Sequence, residues 1–405
     1  MHQKGINQEI TQRMNRTFIL KDLRRSGVCS RAQLAENSGL TQASVAYIMK
    51  EFLRWGLVRE TGLLEAQKGR RSIGVSIDKS CYRVIGIRLS RKYYKIAVLN
   101  LAGELLESDK FSIPSAVDIN DVIAKMCTQV EAICSRNSNE KYLAVGVALP
   151  GPFISKRNEI AALIGAEEWR GVNIKKAFEQ RISLPVFLEH DSNAGAFSQM
   201  WHLGNQYHSG TLIYYSIGQG IGTGIIIDGQ VYHGAMGIAG EIGHTCVDIN
   251  GARCICGNRG CLDLYASSAA LLNNINEDYR AQNMPAVTLV QVEELLRCGD
   301  EVCIRNFKKM CEYIGYSIVN LVNLINPDIV VIGDEIPAMA PELVREMVSD
   351  VVWKSILPQL RDSLKLIVNT EARDDILAGA GIVAINKVFE QPEDFFCAAE
   401  SVSGS

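Results

Sequence analysis

The sequence predicts an α/β protein in which an N-terminal winged helix-turn-helix is followed by a body of two similar lobes. Two patterns support this prediction. Up to residue 56, apolar residues recur at helical spacing, and two short extended runs follow. Beyond residue 81, strand hairpins followed by further apolar strands occur twice, an order typical of α/β folds. The predicted domains are residues 1–80, 81–195 and 196–405, and we call the first of them the head.

The composition is that of a globular protein, with 47% hydrophobic and 21% charged residues. No apolar run reaches the roughly 18–20 residues that a membrane span needs. Residues 1–9 lack the apolar core of a signal peptide. We therefore expect the protein to be cytoplasmic and to have no membrane insertion.

The charge is distributed unevenly along the chain. Residues 1–77 contain 13 Lys and Arg against 6 Asp and Glu, a net charge of +7, so the remainder carries −10 of the total of −3. A basic head on an acidic body indicates that only the head binds a polyanion. A head with ordinary solvated charges is the alternative.

Three helices are predicted in the head. The first spans residues 6–25. Ser30 is expected to cap a second helix over residues 31–37, and Thr41 a third over residues 42–54. The third helix places four apolar side chains on one face: Val45, Ile48, Met49 and Phe52.

Two short helices joined by a turn that contains glycine form a helix-turn-helix, whose second helix presents its first residues to the major groove. The candidate DNA contacts on that helix are Gln42, Ala43, Ser44, Tyr47 and Lys50. A glutamine side chain pairs with adenine, and alanine or tyrosine contacts the methyl group of thymine. A protein-interaction module is the alternative for this motif.

A wing is predicted after the third helix. Residues 57–61 and 73–77 are extended, and the basic stretch between them contains Arg70 and Arg71. Arginine fits a narrow minor groove, so both residues are candidate DNA contacts. A flexible basic linker is the alternative.

The body begins with a predicted hairpin over residues 83–101 and a helix over residues 117–136. Apolar strands follow at residues 143–149 and 186–189, and His190 and Asp191 come directly after the second of them. A second series starts at residue 211, passes through the glycine-rich turn 218–224 and ends in a buried strand over residues 329–332. Strands that end in acidic or glycine residues place a binding site at their carboxyl ends, between the lobes.

One histidine and three cysteines lie close together in the sequence: His244, Cys254, Cys256 and Cys261. This composition is common in structural zinc sites, in which four protein ligands leave no position for a reactive water molecule. We therefore expect a structural Zn²⁺. A disulfide, disfavoured in a reducing cytosol, and packed free thiols are the alternatives.

The stretch Glu241-Ile-Gly-His244 followed by Cys254-Ile-Cys256-Gly-Asn-Arg-Gly-Cys261 resembles the signature of the ROK family of repressors and sugar kinases. It is most similar to the NagC/Mlc/XylR type of regulator, and the similarity extends from Asn15 to the Gly379-Ala-Gly381 segment. The resemblance implies an actin-like, sugar-kinase-like body. The N-terminal helix-turn-helix is typical of the regulator branch.

The resemblance also implies a sugar site. Asp191 matches the family's carboxylate at the sugar hydroxyl, and Glu241 and His244 match residues that bind sugar hydroxyls. His190 directly precedes Asp191. Histidine at this position resembles some repressors of the family, whose kinases more often have asparagine there. The alternatives are a packed or surface histidine at His190, and a helix cap or solvated charge at Asp191 and Glu241.

In its first hairpin this chain departs from the phosphate-binding motif of the family's kinases. Kinases of the family carry Asp-x-Gly-Gly-Thr in the first hairpin, where this chain has Arg88-Leu-Ser90-Arg91-Lys92. The metal-binding carboxylate and both glycines are missing, so we expect no catalytic residues and no kinase activity. The basic hairpin is expected to be a solvated turn, with binding of an anionic ligand such as a sugar phosphate as the alternative.

The predicted function is therefore a sugar-responsive DNA-binding regulator, most simply a repressor of carbohydrate-utilisation genes. Operator DNA, a monosaccharide or its derivative, and a second copy of the chain in a homodimer or tetramer are the expected partners. The alternatives are an ATP-dependent sugar kinase with an added DNA-binding domain, and a regulator controlled by a sugar-transport protein.

Overall fold

The computed structural model of the chain describes residues 8–64, 72–114, 117–137, 139–160, 169–203, 210–370 and 373–396. The chain divides into two compact units. The first comprises Met1–Val147, Ile174–Leu188 and Ala380–Ser405, and the second comprises Ala148–Asn173 and Glu189–Gly379. The domain limits near residues 80 and 195 stay a prediction. Among the described residues, no helix has both the length and the hydrophobicity needed to cross a membrane.

The described part of the head folds as three helices and a small antiparallel sheet, in strand order β1-β3-β2. Its elements are α1 (Gln8–Ser26), β1 (Cys29–Ser30), α2 (Arg31–Ser38), α3 (Gln42–Trp55), β2 (Val58–Leu63) and β3 (Ile73–Ile77). The predicted caps form. The Ser30 side chain accepts a hydrogen bond from the Gln33 backbone while Gln33 returns one, and the Thr41 side chain accepts one from the Ser44 backbone. The four predicted side chains of α3 are buried.

The first sheet of the body has five strands in the order β10-β7-β4-β5-β6. They are β4 (Tyr82–Leu89), β5 (Tyr93–Asn100), β6 (Leu105–Ser112), β7 (Lys141–Leu149) and β10 (Val186–His190). Strands β4, β5 and β6 form an antiparallel meander. Between these strands lie α4 (Ile119–Arg136), β8 (Phe153–Ile154), β9 (Glu159–Ile160) and α5 (Ile174–Glu179).

The second sheet has five strands in the order β13-β12-β11-β14-β15. They are β11 (Thr211–Ile217), β12 (Ile221–Ile227), β13 (Gln230–Val231), β14 (Ile329–Gly333) and β15 (Lys365–Val368). The pair β11–β12 is antiparallel, whereas β14 runs parallel to both β11 and β15. Each sheet therefore has a three-stranded meander followed by two later strands on the side of its first strand, which is the repetition expected of two similar lobes.

Helices account for most of the remaining described chain. They are α6 (Asp191–Leu203), α7 (Asp263–Ala266), α8 (Ser268–Ala281), α9 (Leu289–Cys298), α10 (Glu301–Ile325), α11 (Glu335–Met339), α12 (Pro341–Ser355), α13 (Asp375–Glu390) and α14 (Pro392–Phe396). A large hydrophobic core in the second unit joins the second sheet to α8, α10 and α12. Burial of that apolar surface is the main term that stabilises this unit.

Candidate functional site

The junction between β10 and α6 carries the predicted sugar-binding pair. Strand β10 ends at His190, and helix α6 begins at Asp191. The Asp191 carboxylate accepts a 2.6 Å hydrogen bond from the backbone of Ser192. A carboxylate in the first turn of a helix is stabilised by the partial positive charge of that helix end, so Asp191 is fixed in place while remaining partly exposed.

His190 lies between the two predicted carboxylates. Its Nε2 atom is 3.3 Å from Asp191 Oδ1 and 3.8 Å from Glu241 Oε1, and only 7% of its side chain is exposed. The Nδ1 atom is buried and has no hydrogen-bond partner among the described residues. An imidazole and two carboxylates around one point provide a donor and acceptors, the groups that a ligand with several hydroxyls requires.

The electrostatics of this cluster favour a charged imidazole. Burial alone would lower the pKa of His190, but the charges of Asp191, Glu241 and Glu189 outweigh it, and the pKa is raised above its usual value. Burial also raises the pKa of Glu241, although His190 and His244 act in the opposite direction. The surrounding acidic groups therefore stabilise the protonated form of His190.

Two glycines allow the chain to pass close to His190. A Cβ atom at Gly151 would overlap His190 Nε2 and lie 3.0 Å from Glu241 Oε1. A Cβ atom at Gly222 would overlap the Ser192 hydroxyl. Gly151 and Gly222 therefore lie directly against the cluster, and a residue with a side chain could not replace either glycine without moving its neighbours.

The predicted metal ligands converge. The ligand atoms of His244, Cys254, Cys256 and Cys261 all lie within 4.8 Å of one another. The Sγ atom of Cys254 is 3.8 Å from His244 Nδ1, and the Sγ atoms of Cys256 and Cys261 are 3.6 Å apart. Tetrahedral zinc with Zn–S bonds of about 2.3 Å separates its sulfur ligands by roughly 3.8 Å. The arrangement is therefore compatible with a structural zinc site.

Burial and mutual proximity shift the pKa values of two of the candidate thiol ligands. Burial and the neighbouring thiols raise the pKa of Cys261 to about 12. Burial opposes ionisation at Cys256 as well, but hydrogen bonds from the Asn258 backbone and the adjacent thiols outweigh it and lower the pKa of Cys256. Three thiolates in so small a volume would need a positive charge between them, which a bound metal ion would supply.

One short turn joins the four candidate metal ligands, which we call the metal cluster, to the group formed by His190, Asp191 and Glu241. Residues Ile242–His244 form a single 3-10 turn, in which the His244 backbone donates a hydrogen bond to the carbonyl of Glu241. Glu241 contacts His190, and His244 belongs to the metal cluster. An ion that fixed His244 would consequently also fix the position of Glu241.

The predicted DNA contacts form an exposed surface at the start of α3. All five candidates on this helix are exposed: Gln42, Ala43, Ser44, Tyr47 and Lys50. Tyr47 is 61% exposed, so its ring is available to a partner at this surface. The candidates Arg70 and Arg71 in the wing lie outside the described residues.

The comparisons with known proteins decide the family. The model of the ROK family matches residues 84–387. The chain belongs to the ROK family. The xylose repressor of Caldicellulosiruptor bescii is 28% identical over 399 residues, which cover 96% of this chain and 99% of that repressor. The DNA-binding transcriptional dual regulator NagC of Escherichia coli is 27% identical over 82% of each chain. These matches confirm the prediction of a sugar-responsive transcriptional regulator of the ROK family.

Solved structures confirm the fold. A ROK family transcriptional regulator, described as a homologue of the E. coli MLC protein, has a TM-score of 0.80 at 25% identity and covers 97% of this chain and 100% of its own. The ROK family glucokinase of Streptomyces griseus, solved with glucose and AMPPNP, has a TM-score of 0.66 at 24% identity and covers 74% of this chain and 98% of its own. The regulator therefore matches nearly the whole chain, whereas the kinase matches about three quarters of it.

The first hairpin of this ROK body differs in part from its prediction. The turn between β4 and β5 is closed by hydrogen bonds from the Ser90 backbone and hydroxyl to the Tyr93 carbonyl, both 2.9 Å long. Lys92 is exposed as expected of a solvated turn. The same expectation is wrong for Arg88, which is only 8% exposed because it lies within β4.

One histidine near His190 and Glu189 was not predicted from the sequence. His233 Nε2 lies 3.8 Å from Glu189 Oε2, and its Nδ1 atom is buried without a hydrogen-bond partner in the described chain. Glu189 in turn accepts hydrogen bonds from the His190 backbone and the Asn193 side chain. No local pattern distinguishes His233, because 44 positions separate it from Glu189 and only the fold brings the two together.

Proposed function

We propose that this ROK protein is a repressor whose affinity for operator DNA changes when a sugar binds at His190, Asp191, Glu241 and His244. The observation that carries the proposal is the nearly buried His190 held between two carboxylates, in a chain whose head exposes the recognition face of α3. A binding site and a DNA-reading surface in one chain suit a regulator better than a metabolic enzyme.

The chemistry of the cluster suits a neutral sugar. A charged imidazole donates hydrogen bonds, and the carboxylates of Asp191 and Glu241 accept them from vicinal hydroxyls. A phosphorylated sugar would add a negative charge next to two carboxylates, which is unfavourable in a partly buried site. We propose xylose and N-acetylglucosamine as the first candidates, because relatives are named as repressors for these two sugars.

We further propose a structural Zn²⁺ at His244, Cys254, Cys256 and Cys261. All four positions of a tetrahedral ion would be filled by protein, so the ion would bind no reactive water and would serve to stabilise the loop. A reducing cytoplasm, where we place the protein, keeps the thiols available.

On DNA, we propose a homodimer in which each α3 enters a major groove. Gln42, Ala43, Ser44 and Tyr47 would meet base edges, while Lys50, Arg70 and Arg71 would meet the backbone or the minor groove. Half-sites about 34–36 Å apart would make binding sensitive to a small rotation of one head relative to the other. The sugar must bind one arrangement more tightly than the other to shift this equilibrium.

A gel-shift assay on the DNA upstream of the protein's own gene tests the proposal. We expect xylose, N-acetylglucosamine or a related neutral sugar to change the affinity, and a coupled ADP assay with the same sugars to show no turnover. Asp191→Asn should abolish the response to sugar but leave DNA binding intact. The control Asp350→Asn, which removes an exposed ion pair with Lys354, should change neither.

Three outcomes would contradict the proposal in different ways. If no sugar or sugar phosphate alters DNA binding, the sugar-responsive model fails. If only a sugar-transport protein alters it, the regulator is controlled by a protein partner. If the ADP assay shows turnover, the chain is a kinase.

A further inference from the structure

The glycine-rich turn between β11 and β12 is surrounded by acidic side chains. A Cβ atom at Gly218 would lie 2.7 Å from Asp334 Oδ2 and 3.5 Å from Glu335 Oε2. On the other side of the turn, the Asp263 carboxylate accepts a 2.8 Å hydrogen bond from the Ile221 backbone. A turn rich in backbone N–H groups normally suits an anionic ligand, but this one already faces three carboxylates.

Asp334 has a backbone conformation that residues other than glycine rarely adopt. Its φ angle is 85° and its ψ angle is −156°, a combination that glycine adopts readily and other residues adopt only when the surrounding structure enforces it. Such strained residues concentrate at functional sites. An aspartate here therefore needs a reason that a glycine would not supply.

The side chain of Asp334 is not used in the ordinary way either. Asp334 precedes helix α11, where aspartate commonly caps the helix, but its carboxylate makes no capping hydrogen bond. Instead Oδ2 accepts a 2.9 Å hydrogen bond from the hydroxyl of Ser216, the residue that precedes the turn by two positions. The carboxylate is thus directed into the turn and away from its own helix.

Glu335 reinforces this arrangement from the adjacent position. Its Oε2 atom lies 3.4 Å from the Ser268 hydroxyl, at the start of α8. The Ser268 backbone in turn donates a 2.8 Å hydrogen bond to the carbonyl of Gly218. Asp334 therefore binds Ser216 at the end of β11, and Glu335 binds Ser268 at the start of α8. Both of these segments contact the turn.

We infer that Asp334 is an internal anion that occupies the glycine-rich turn and excludes phosphate groups from it. The turn keeps its glycines, but its negative charge comes from the protein and repels the phosphates of a nucleotide. Asp334 is thus a specificity-determining residue, which makes the protein indifferent to nucleotides. The inference rests on the proposed function, because it assumes that the chain is a regulator without kinase activity. It explains why such a regulator can keep a glycine-rich turn without binding a nucleotide there.

Calorimetric titration of the full chain with pyrophosphate, and separately with ATP and Mg²⁺, tests the inference. We compare the wild type with Asp334→Asn, which keeps an acceptor for Ser216 but loses the charge, and with Asp334→Gly, which also suits the backbone conformation. Asp228→Gly is the matched control, because Asp228 also has a positive φ of 50° but lies in the turn between β12 and β13.

We expect both Asp334 variants to bind pyrophosphate at least about tenfold more tightly than the wild type, and the control to resemble the wild type. The inference is overturned if the wild type binds pyrophosphate as tightly as Asp334→Asn, or if neither Asp334 variant gains affinity. Should Asp334→Gly fail to fold, Asp334→Asn decides alone, with thermal unfolding as the check on its fold. Titration with pyrophosphate does not depend on DNA or sugar, so a failure of the proposed regulator function would be recognised separately in the gel-shift assay.

Discussion

Arg16 of α1 and Glu393 of α14 form a 2.9 Å ion pair, although 377 residues separate them in the sequence. The same guanidinium donates two 3.0 Å hydrogen bonds to the two carboxylate oxygens of Glu51 in α3. Only 12% of the Arg16 side chain is exposed. Arg16 therefore fastens the C-terminal helix to the head, within the first compact unit.

Aromatic packing strengthens this attachment. The Phe396 ring stacks on Trp55 at a centroid distance of 5.9 Å and meets Tyr82 edge-on at 5.0 Å. The Tyr82 hydroxyl donates a 2.7 Å hydrogen bond to the Trp55 carbonyl. Trp55 is the last residue of α3, so α3 ends directly against α14.

Replacement of Phe396 by alanine is expected to loosen the head. Loss of a buried aromatic side chain typically lowers the free energy of unfolding by about 3–5 kcal/mol. Because Trp55 would lose one of its two aromatic neighbours, we also expect weaker DNA binding. Urea unfolding followed by tryptophan fluorescence, together with a gel shift, measures both effects.

Leu357→Ala is the control for this variant, since Leu357 is 54% exposed and loss of its side chain should change the free energy of unfolding by less than about 0.5 kcal/mol. Equal stabilities for the two variants would contradict the assigned packing.

Local features of the fold could be predicted from the sequence. Ser30 and Thr41 were expected to cap α2 and α3, and both do, because a cap depends on residues only three positions apart. The pair His190–Asp191 was expected at the end of a strand for a similar reason, since a short apolar run stops abruptly there. Four candidate metal ligands within eighteen residues likewise form a pattern that can be recognised in the sequence.

Other features carry no local signal. Strand β6 was not predicted because it is a mostly exposed edge strand with the polar sequence Glu-Ser-Asp-Lys at its centre. The bond between Arg16 and Glu393 depends on contacts across nearly the whole chain. The position of the Asp334 carboxylate depends on its backbone angles and on the hydroxyl of Ser216, which lies 118 positions away.

Gly151 offers a test of the sugar site that leaves its polar residues unchanged. In Gly151→Ala the new methyl group would overlap His190 Nε2, so the imidazole must move away from Asp191 and Glu241. We expect this variant to bind operator DNA normally and to lose its response to sugar, both measured by gel shift. Gly220→Ala is the control, because its nearest neighbour, Asp263, is an ordinary 3.7 Å from the new atom. A normal sugar response in Gly151→Ala would place the sugar elsewhere.

Cys256 and Cys246 form a matched pair for testing the metal site. Both are exposed, but Cys256 belongs to the converging ligand set and Cys246, which lies in the same loop region, does not. We expect Cys256→Ser to lose zinc, to unfold at a lower temperature and to lose its response to sugar, because Glu241 would no longer be held. Cys246→Ser should retain one zinc per chain. Metal analysis and thermal unfolding are the measurements. Full zinc content in Cys256→Ser would show that the ligand set is wrong.

The pH dependence of stability tests the charge state of His190. Its pKa is raised in the folded chain by Asp191, Glu241 and Glu189 against the effect of burial, so folding favours the protonated ring. This contribution is fully present below the ordinary histidine pKa of about 6.5 and is lost as the pH rises through the raised folded value. We expect the stability difference between the wild type and His190→Asn, measured by thermal unfolding, to shrink steadily over that range. Groups that do not interact with His190 titrate similarly in both proteins and largely cancel in the difference. A difference that grows with pH would mean that the folded chain holds a neutral imidazole, and that Asp191 and Glu241 bind sugar without a charged partner.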